Sequence, residues 1–223
     1  MGCQPHPALD GRIDDVTIDP LILSTERCVV RPLTDDDTDE LMVYRNDLNW
    51  MRYQGLKGLT REEWVQQLLS SKNVDDGLQL AVMSRLSGQL IGDLYVRCDA
   101  ETCWIGYTIS PKYARQGHAT EAVTALIEEL TWRGVQCIKA GVSPDNKASI
   151  KLLTKLGFHL TDSSDDEETY TLLLQSSSSL PPGIRFVARP NGYRSAALVG
   201  DQRSGRWQRR GCKTSLKSGP SKT

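Results

Sequence analysis

The feature that most constrains this chain is a change of hydrophobic period at Pro111. Before it, Leu78–Ser84, Leu90–Arg97 and Thr102–Ile109 read as strands, the first two joined through the turn signal Leu86-Ser87-Gly88-Gln89, which predicts an antiparallel meander. After it, Ala119, Ala122, Val123, Leu126, Ile127 and Leu130 recur on one face at helical spacing. The strand–loop–helix unit then repeats, with Cys137–Val142 as strand and Lys147–Leu156 as a helix stopped by Gly157. Two such units in succession form the centre of an α+β (α/β) fold, a mixed β-sheet flanked by helices.

The flanking segments fit that frame. Arg27–Leu33 is a short β-branched strand, and Thr34 caps a helix whose first turn carries Asp35, Asp36 and Asp37 and whose apolar face is Leu41, Met42 and Tyr44. Thr60 and Glu63 have capping-box spacing ahead of Trp64, Leu68 and Leu69. After an acidic loop over Asp162–Glu168, Thr169–Leu174 is the last strand, giving the order β-α-α-β-β-β-α-β-α-β. This predicts one domain over 21–175, preceded by a flexible leader over 1–20 and followed by a tail over 176–223. That tail holds ten basic residues against the single acidic Asp201, a net +9 in a chain of net charge −1. Its Ser, Pro and Gly content reads as disorder, and its charge admits weak, salt-sensitive nucleic-acid contact.

Composition excludes several classes. With 39% hydrophobic and 25% charged residues the chain can bury one sizeable core. No apolar run reaches membrane-spanning length and the start lacks a signal-peptide pattern, so a cytoplasmic protein without membrane attachment is expected. Met1-Gly2-Cys3 opens like a myristoylation signal, but His6 stands where that signal has Ser or Thr. Six cysteines without a C-x-x-C pair, and only three histidines, argue against zinc, so no metal is expected. Cys98 and Cys103 can face each other across a hairpin, though free thiols are the expected state in a reducing compartment.

The chemistry concentrates in Tyr113-Ala114-Arg115-Gln116-Gly117-His118-Ala119-Thr120-Glu121-Ala122, between a strand and the long helix. Small residues at Gly117 and Ala119 let backbone N–H groups approach an anion such as a pyrophosphate, and the helix N-terminus adds positive potential. Alone, Gly117 reads as readily as relief of a tight turn. Further on, Asn146-Lys147-Ala148-Ser149 precedes Lys155-Leu156-Gly157-Phe158, so Asn146 is a helix N-cap, a ligand partner, or both.

These residues resemble the GNAT N-acetyltransferases, in particular the branch like the ribosomal-protein acetyltransferases RimJ and RimL. The resemblance rests on Trp104-Ile105-Gly106-Tyr107-Thr108-Ile109-Ser110-Pro111 leading into Arg115–Ala122, on Asn146-x-x-Ser149 with Leu156-Gly157-Phe158, and on Tyr44-Arg45-Asn46-Asp47 through Met51-Arg52-Tyr53, in collinear order. It implies an enzyme that moves the acetyl group of acetyl-CoA, its cosubstrate, to a primary amine, on a protein N-terminus or a small molecule. It further implies cofactor contacts at Tyr107, Thr108, Ile109, Arg115, Gln116, Gly117, His118, Ala119, Thr120 and Asn146. The implied catalytic residues are Asp93 as base, with a solvated strand position as its other reading, and Ser149 as acid, with an ordinary helix hydroxyl as its other reading. Two departures stand out: Ala114 occupies the usual Gln or Arg position three residues before the glycine, and Leu153 replaces the Tyr that protonates the thiolate in many relatives. Together with the basic tail they leave a rival reading, a catalytically weak acyl-CoA-binding or nucleic-acid-associated protein of unspecified oligomeric state.

Overall fold

The computed structural model describes residues 21–70, 73–99, 101–174, 184–188 and 194–198. Residues 21–174 lie within one compact unit and the last two segments within a second. The leader over 1–20 and its Met1-Gly2-Cys3 start lie outside the described residues.

The first unit is built on an eight-stranded sheet. Its strands are β1 (Leu23–Ser24), β2 (Cys28–Pro32), β3 (Leu78–Ser84), β4 (Leu90–Asp99), β5 (Thr102–Ile109), β6 (Cys137–Val142), β7 (His159–Ser163) and β8 (Glu168–Leu173). They are ordered β1-β2-β3-β4-β5-β6-β8-β7. All neighbours are antiparallel except β5 and β6, which run parallel. The helices are α1 (Thr38–Arg45), α2 (Arg61–Leu69), α3 (His118–Trp132) and α4 (Lys147–Lys155).

The pleat assigns each helix its face. Leu80, Val82, Leu94, Val96 and Ile105 alternate along their strands and form one buried cluster with Ala122, Val123, Leu126 and Leu130 of α3 and Leu153 of α4. The intervening Ala81 points the other way, into a smaller cluster with Leu41 and Tyr44 of α1 and Trp64 and Leu68 of α2. Gln79, Asp93 and Thr108 share that second face, since Ala81, Asp93 and Thr108 are register partners across β3, β4 and β5. Beside them a Cβ at position 92 would overlap the Thr108 carbonyl oxygen, so only glycine lets β4 and β5 approach so closely there.

The expected elements are present with small boundary shifts, and the structure adds to them. Thr34 precedes a short 3-10 turn over Asp35–Asp37 rather than entering α1 directly. Thr60 and Glu63 make both capping-box bonds, side chain to backbone at 3.3 Å and backbone to side chain at 2.8 Å. β7 occupies part of the segment read as an acidic loop; every one of its residues is exposed, so it has no apolar alternation to betray it. Cys98 and Cys103, read as free thiols, are joined by a disulfide, because they are register partners at the end of the β4–β5 hairpin. Cys28 and Cys137 are free.

Within the stretch read as a disordered tail, the described residues form two short strands. The second unit contains β9 (Ile184–Ala188) paired antiparallel with β10 (Arg194–Leu198), Ile184 opposite Leu198 and Ala188 opposite Arg194. The sequence signal was an apolar run on each side of Asn191-Gly192, a favoured hairpin dipeptide, masked by the surrounding Ser, Pro and Arg.

A bridge closing so short a loop is expected to contribute about 2 kcal/mol. Urea unfolding with and without reductant should differ by about that amount in the native chain, and the difference should vanish when Cys98 and Cys103 are both replaced by Ser.

Candidate active site

The parallel pair β5 and β6 is joined only from Thr102, opposite Cys137, to Trp104, opposite Lys139. Beyond Trp104 the strands run on without pairing, so the sheet opens into a cleft between Gly106–Ile109 and Ala140–Val142. Antiparallel ladders alternate, and the Ser110 N–H bonds the Ile91 carbonyl at 2.9 Å. That register turns the main-chain groups of Thr108 toward β4 and those of Tyr107 and Ile109 toward the open side. The Ile109 carbonyl accordingly accepts the Trp50 indole N–H at 3.0 Å.

At the C-terminal end of β5 the chain makes a 3-10 turn over Pro111–Tyr113 and enters the Arg115–Gly117 loop. Arg115 has φ 59° and Gly117 φ 87°, both left-handed, and α3 begins at the next residue. The left-handed values turn successive amides to one side of the loop, a shape suited to anions. The first intrahelical bond is donated by the Glu121 N–H to the Gly117 carbonyl, at 3.0 Å. The amides of His118, Ala119 and Thr120 thus have no acceptor within the helix and face its positive end. What the loop offers is main chain: the Gln116 side chain donates to the Lys112 carbonyl at 3.1 Å, and the His118 ring lies beside Cys28 Sγ at 3.5 Å. Burial, then the neighbouring Arg27 charge, lowers the His118 pKa, which keeps the ring neutral at pH 7.

Arg27, which sequence reading left in the first strand, braces this loop. Its guanidinium donates to the Gln116 carbonyl at 2.9 Å and to Glu121 at 2.6 Å, and lies against the place a Gly117 side chain would fill. No local motif marks it, because the contact spans about ninety residues of chain.

Across the cleft, the Asn146 side chain accepts the Ser149 N–H at 3.2 Å as the N-cap of α4. Tyr107 Oη donates to the Ser149 carbonyl at 3.4 Å, tying β5 to the first turn of α4. Burial pushes the Tyr107 phenol up to about 12 even though Ser149 offsets part of the rise, so it is a neutral donor at any working pH. Tyr53 Oη donates to the Asp145 carbonyl at 3.2 Å. Trp50 and Tyr53 thereby connect the α1–α2 segment to both strand ends that bound the cleft. Leu153 is buried in the core, remote from any hydroxyl's role.

Asp93 does not sit where either sequence reading put it. It is 0% exposed. Oδ1 accepts from Tyr44 Oη at 2.6 Å and Arg45 Nε at 3.1 Å; Oδ2 accepts from Arg45 Nη2 and Gln79 Nε2. A carboxylate has about four lone-pair sites, and all are used. Burial and the adjacent negative charge of Asp93 raise the Tyr44 pKa well above its ordinary value. Burial alone would lower Arg45, but Asp93 outweighs it and holds the guanidinium charged. Enclosed and saturated, Asp93 anchors α1 to β4. The register partner Thr108 has the only buried side-chain polar atom without a partner among the described residues.

Residues 27–159 match the family model described as the acetyltransferase (GNAT) domain. The chain is 29% identical over 145 residues to the uncharacterized N-acetyltransferase YoaA of Bacillus subtilis, covering 61% of this chain and 82% of that one. Its fold is similar to RimL, a ribosomal L7/L12 alpha-N-protein acetyltransferase solved with coenzyme A, at TM-score 0.63 and 14% identity over 70% of this chain and 99% of that one. It is similar also to the aminoglycoside acetyltransferase AAC(6')-Ib solved with coenzyme A, at TM-score 0.58 and 21% identity over 67% and 96%. The chain belongs to the GNAT acetyltransferase domain family and is an N-acetyltransferase. Among the described residues no helix is long and apolar enough to cross a membrane.

Removing one member of a buried ion pair costs about 3–5 kcal/mol, whereas replacing both with apolar residues costs much less. Asp93→Ala should therefore lower the unfolding free energy by that amount in urea titrations, and the double change Asp93→Leu, Arg45→Met should restore most of it.

Proposed function

We propose that this chain binds acetyl-CoA along the opened edge of β5 and transfers its acetyl group to a primary amine approaching from the α1–α2 side. The observation that carries the proposal is the coincidence, at one end of one strand, of main-chain amides at Tyr107 and Ile109 turned to the open side with the left-handed Arg115–Gly117 loop and the bare amides of α3. The residues present fit the cosubstrate: the loop amides and those of His118, Ala119 and Thr120 suit a pyrophosphate, with Arg27 holding the loop in shape. Acetyl-CoA supplies an activated thioester carbonyl. On this reading the amides of Tyr107 and Ile109 stabilise the charge that develops on its oxygen, an interaction whose loss typically costs on the order of 3 kcal/mol. Thr108 keeps the strand in register through its ladder to Asp93. Ser149 is the hydroxyl that remains to protonate the departing thiolate, with Asn146 and Tyr107 fixing the turn that carries it.

With Asp93 saturated, the acceptor must arrive as the free amine or lose its proton to water. The acceptor is a protein N-terminal amine or a small-molecule amine, and similar folds serve both chemistries by the names of RimL and the aminoglycoside enzyme. The basic tail supports the rival nucleic-acid-associated reading, under which a chain ending at Ser177 loses function; on the enzyme reading that chain keeps its turnover.

Gly117→Glu adds bulk, charge and a strained φ to the loop and should abolish coenzyme A binding in calorimetry while the fold is retained; wild-type affinity in a folded variant would overturn the assignment. Ser149→Ala should lower turnover by roughly 10²-fold with coenzyme A affinity unchanged. Activity across peptide and small-amine panels tests the acceptor, and the pH profile sharpens it. Without an enzymic base, kcat/KM should level off above pH about 8 for an N-terminal amine but keep rising toward about 10 for a lysine-like amine.

A further inference from the structure

At the start of α3, three side chains converge that the function above does not use as ligands. Cys28 Sγ on β2, a nitrogen of His118 and a carboxylate oxygen of Glu121 all lie within 4.8 Å of one another. His118 and Glu121 are three residues apart on one face of the first turn of α3, and β2 passes that face. Cys28 is buried, whereas the other two are part-exposed, so the group has a closed thiol side and an open side.

We propose that Cys28, His118 and Glu121 form a binding site for a borderline-soft divalent cation, Zn²⁺ or a close analogue, which clamps β2 to the first turn of α3. The ligand set is of the Cys/His/carboxylate kind such ions take, with the fourth position left to water on the open side. With Zn–S near 2.3 Å and Zn–N near 2.0 Å, tetrahedral geometry sets the two ligand atoms about 3.6 Å apart. Cys28 Sγ and His118 Nδ1 stand at 3.5 Å. Glu121 accepts the Arg27 backbone N–H at 2.8 Å and its Nε at 2.6 Å, which leaves about two of its roughly four lone-pair sites for a metal. On binding, the Cys28 thiol gives its proton to solvent and the thiolate takes the ion. Cysteine spacing along the chain conceals the site because ninety residues separate Cys28 from His118.

The test is a Co²⁺ titration of the full-length, tag-free chain after chelator and reductant treatment. One equivalent of Co²⁺ should produce a thiolate-to-cobalt charge-transfer band with tetrahedral visible bands, and Zn²⁺ should displace it. Cys28→Ser should lose the charge-transfer band and weaken binding by at least about 100-fold, the upper range of what even an indirect partner of a metal costs. Should circular dichroism show that variant unfolded, His118→Asn, at a part-exposed side chain, keeps the thiolate but removes the nitrogen ligand, and should weaken Co²⁺ binding by at least about 10-fold. Absence of the band in the wild-type chain, its persistence at full intensity in folded Cys28→Ser, which would place the ion on another cysteine such as Cys137, or wild-type Co²⁺ affinity in folded His118→Asn overturns the proposal.

Discussion

The Asp93 carboxylate is the point on which the two halves of the domain depend. It sits in mid-strand on β4, and its four donors come from α1 and from β3, so the helical face and the sheet are joined by charge as well as by apolar contact. An isolated charge at 0% exposure would be prohibitively costly; one saturated by a guanidinium, a phenol and an amide is not. Burial of such a pair contributes little net stability compared with apolar packing, so its value lies in orientation. Arg45 is fixed at the C-terminal end of α1 and also reaches the Leu56 carbonyl at 3.4 Å, which sets where the following segment with Trp50 and Tyr53 can lie.

That segment reaches the cleft. Trp50 bonds Ile109 at the end of β5, and Tyr53 bonds Asp145 just before α4, so this segment is held to both lips of the opened pair. The cleft itself follows from arithmetic of the chain: β5 and β6 share three register pairs, and a twisted parallel pair released after so few can diverge. Helix α3 fills the space beneath with Ala122, Val123, Leu126 and Leu130, which keeps the strands apart once they part.

Much of this was legible in the sequence because the sheet and the major helices carry strong periodicity. Leu78–Ser84, Thr102–Ile109 and Cys137–Val142 are strands over the same residues as expected. The exposed β7 and the β9–β10 pair were missed, the first for lack of apolar alternation and the second because regional composition outweighed a local hairpin signal. At the site, the loop and Asn146 were legible from glycine and cap chemistry. The burial of Asp93, read as a base on the resemblance and otherwise as a solvated strand position, was not legible; it is set by Tyr44, Arg45 and Gln79, two of them nearly fifty residues away. Arg27 and Trp50 escaped for the same reason, since each acts through contacts distant in sequence.

The proposed chemistry rests largely on main-chain groups, and this accounts for how far the side chains can drift. Amides at Tyr107 and Ile109 and at the start of α3 belong to any sequence that adopts these backbone conformations, with glycine required only where φ is 87° at Gly117. A fold held at 14% identity to RimL is then unsurprising. The same logic makes Ala114 and Leu153 compatible with activity: the first removes a side chain from a loop that presents amides, and the second moves a position from the site into the core, where Leu153 is 1% exposed. The side chains that hold this backbone in shape are then Arg27 at the loop, Arg45 and Asp93 between α1 and β4, and Asn146 at the first turn of α4.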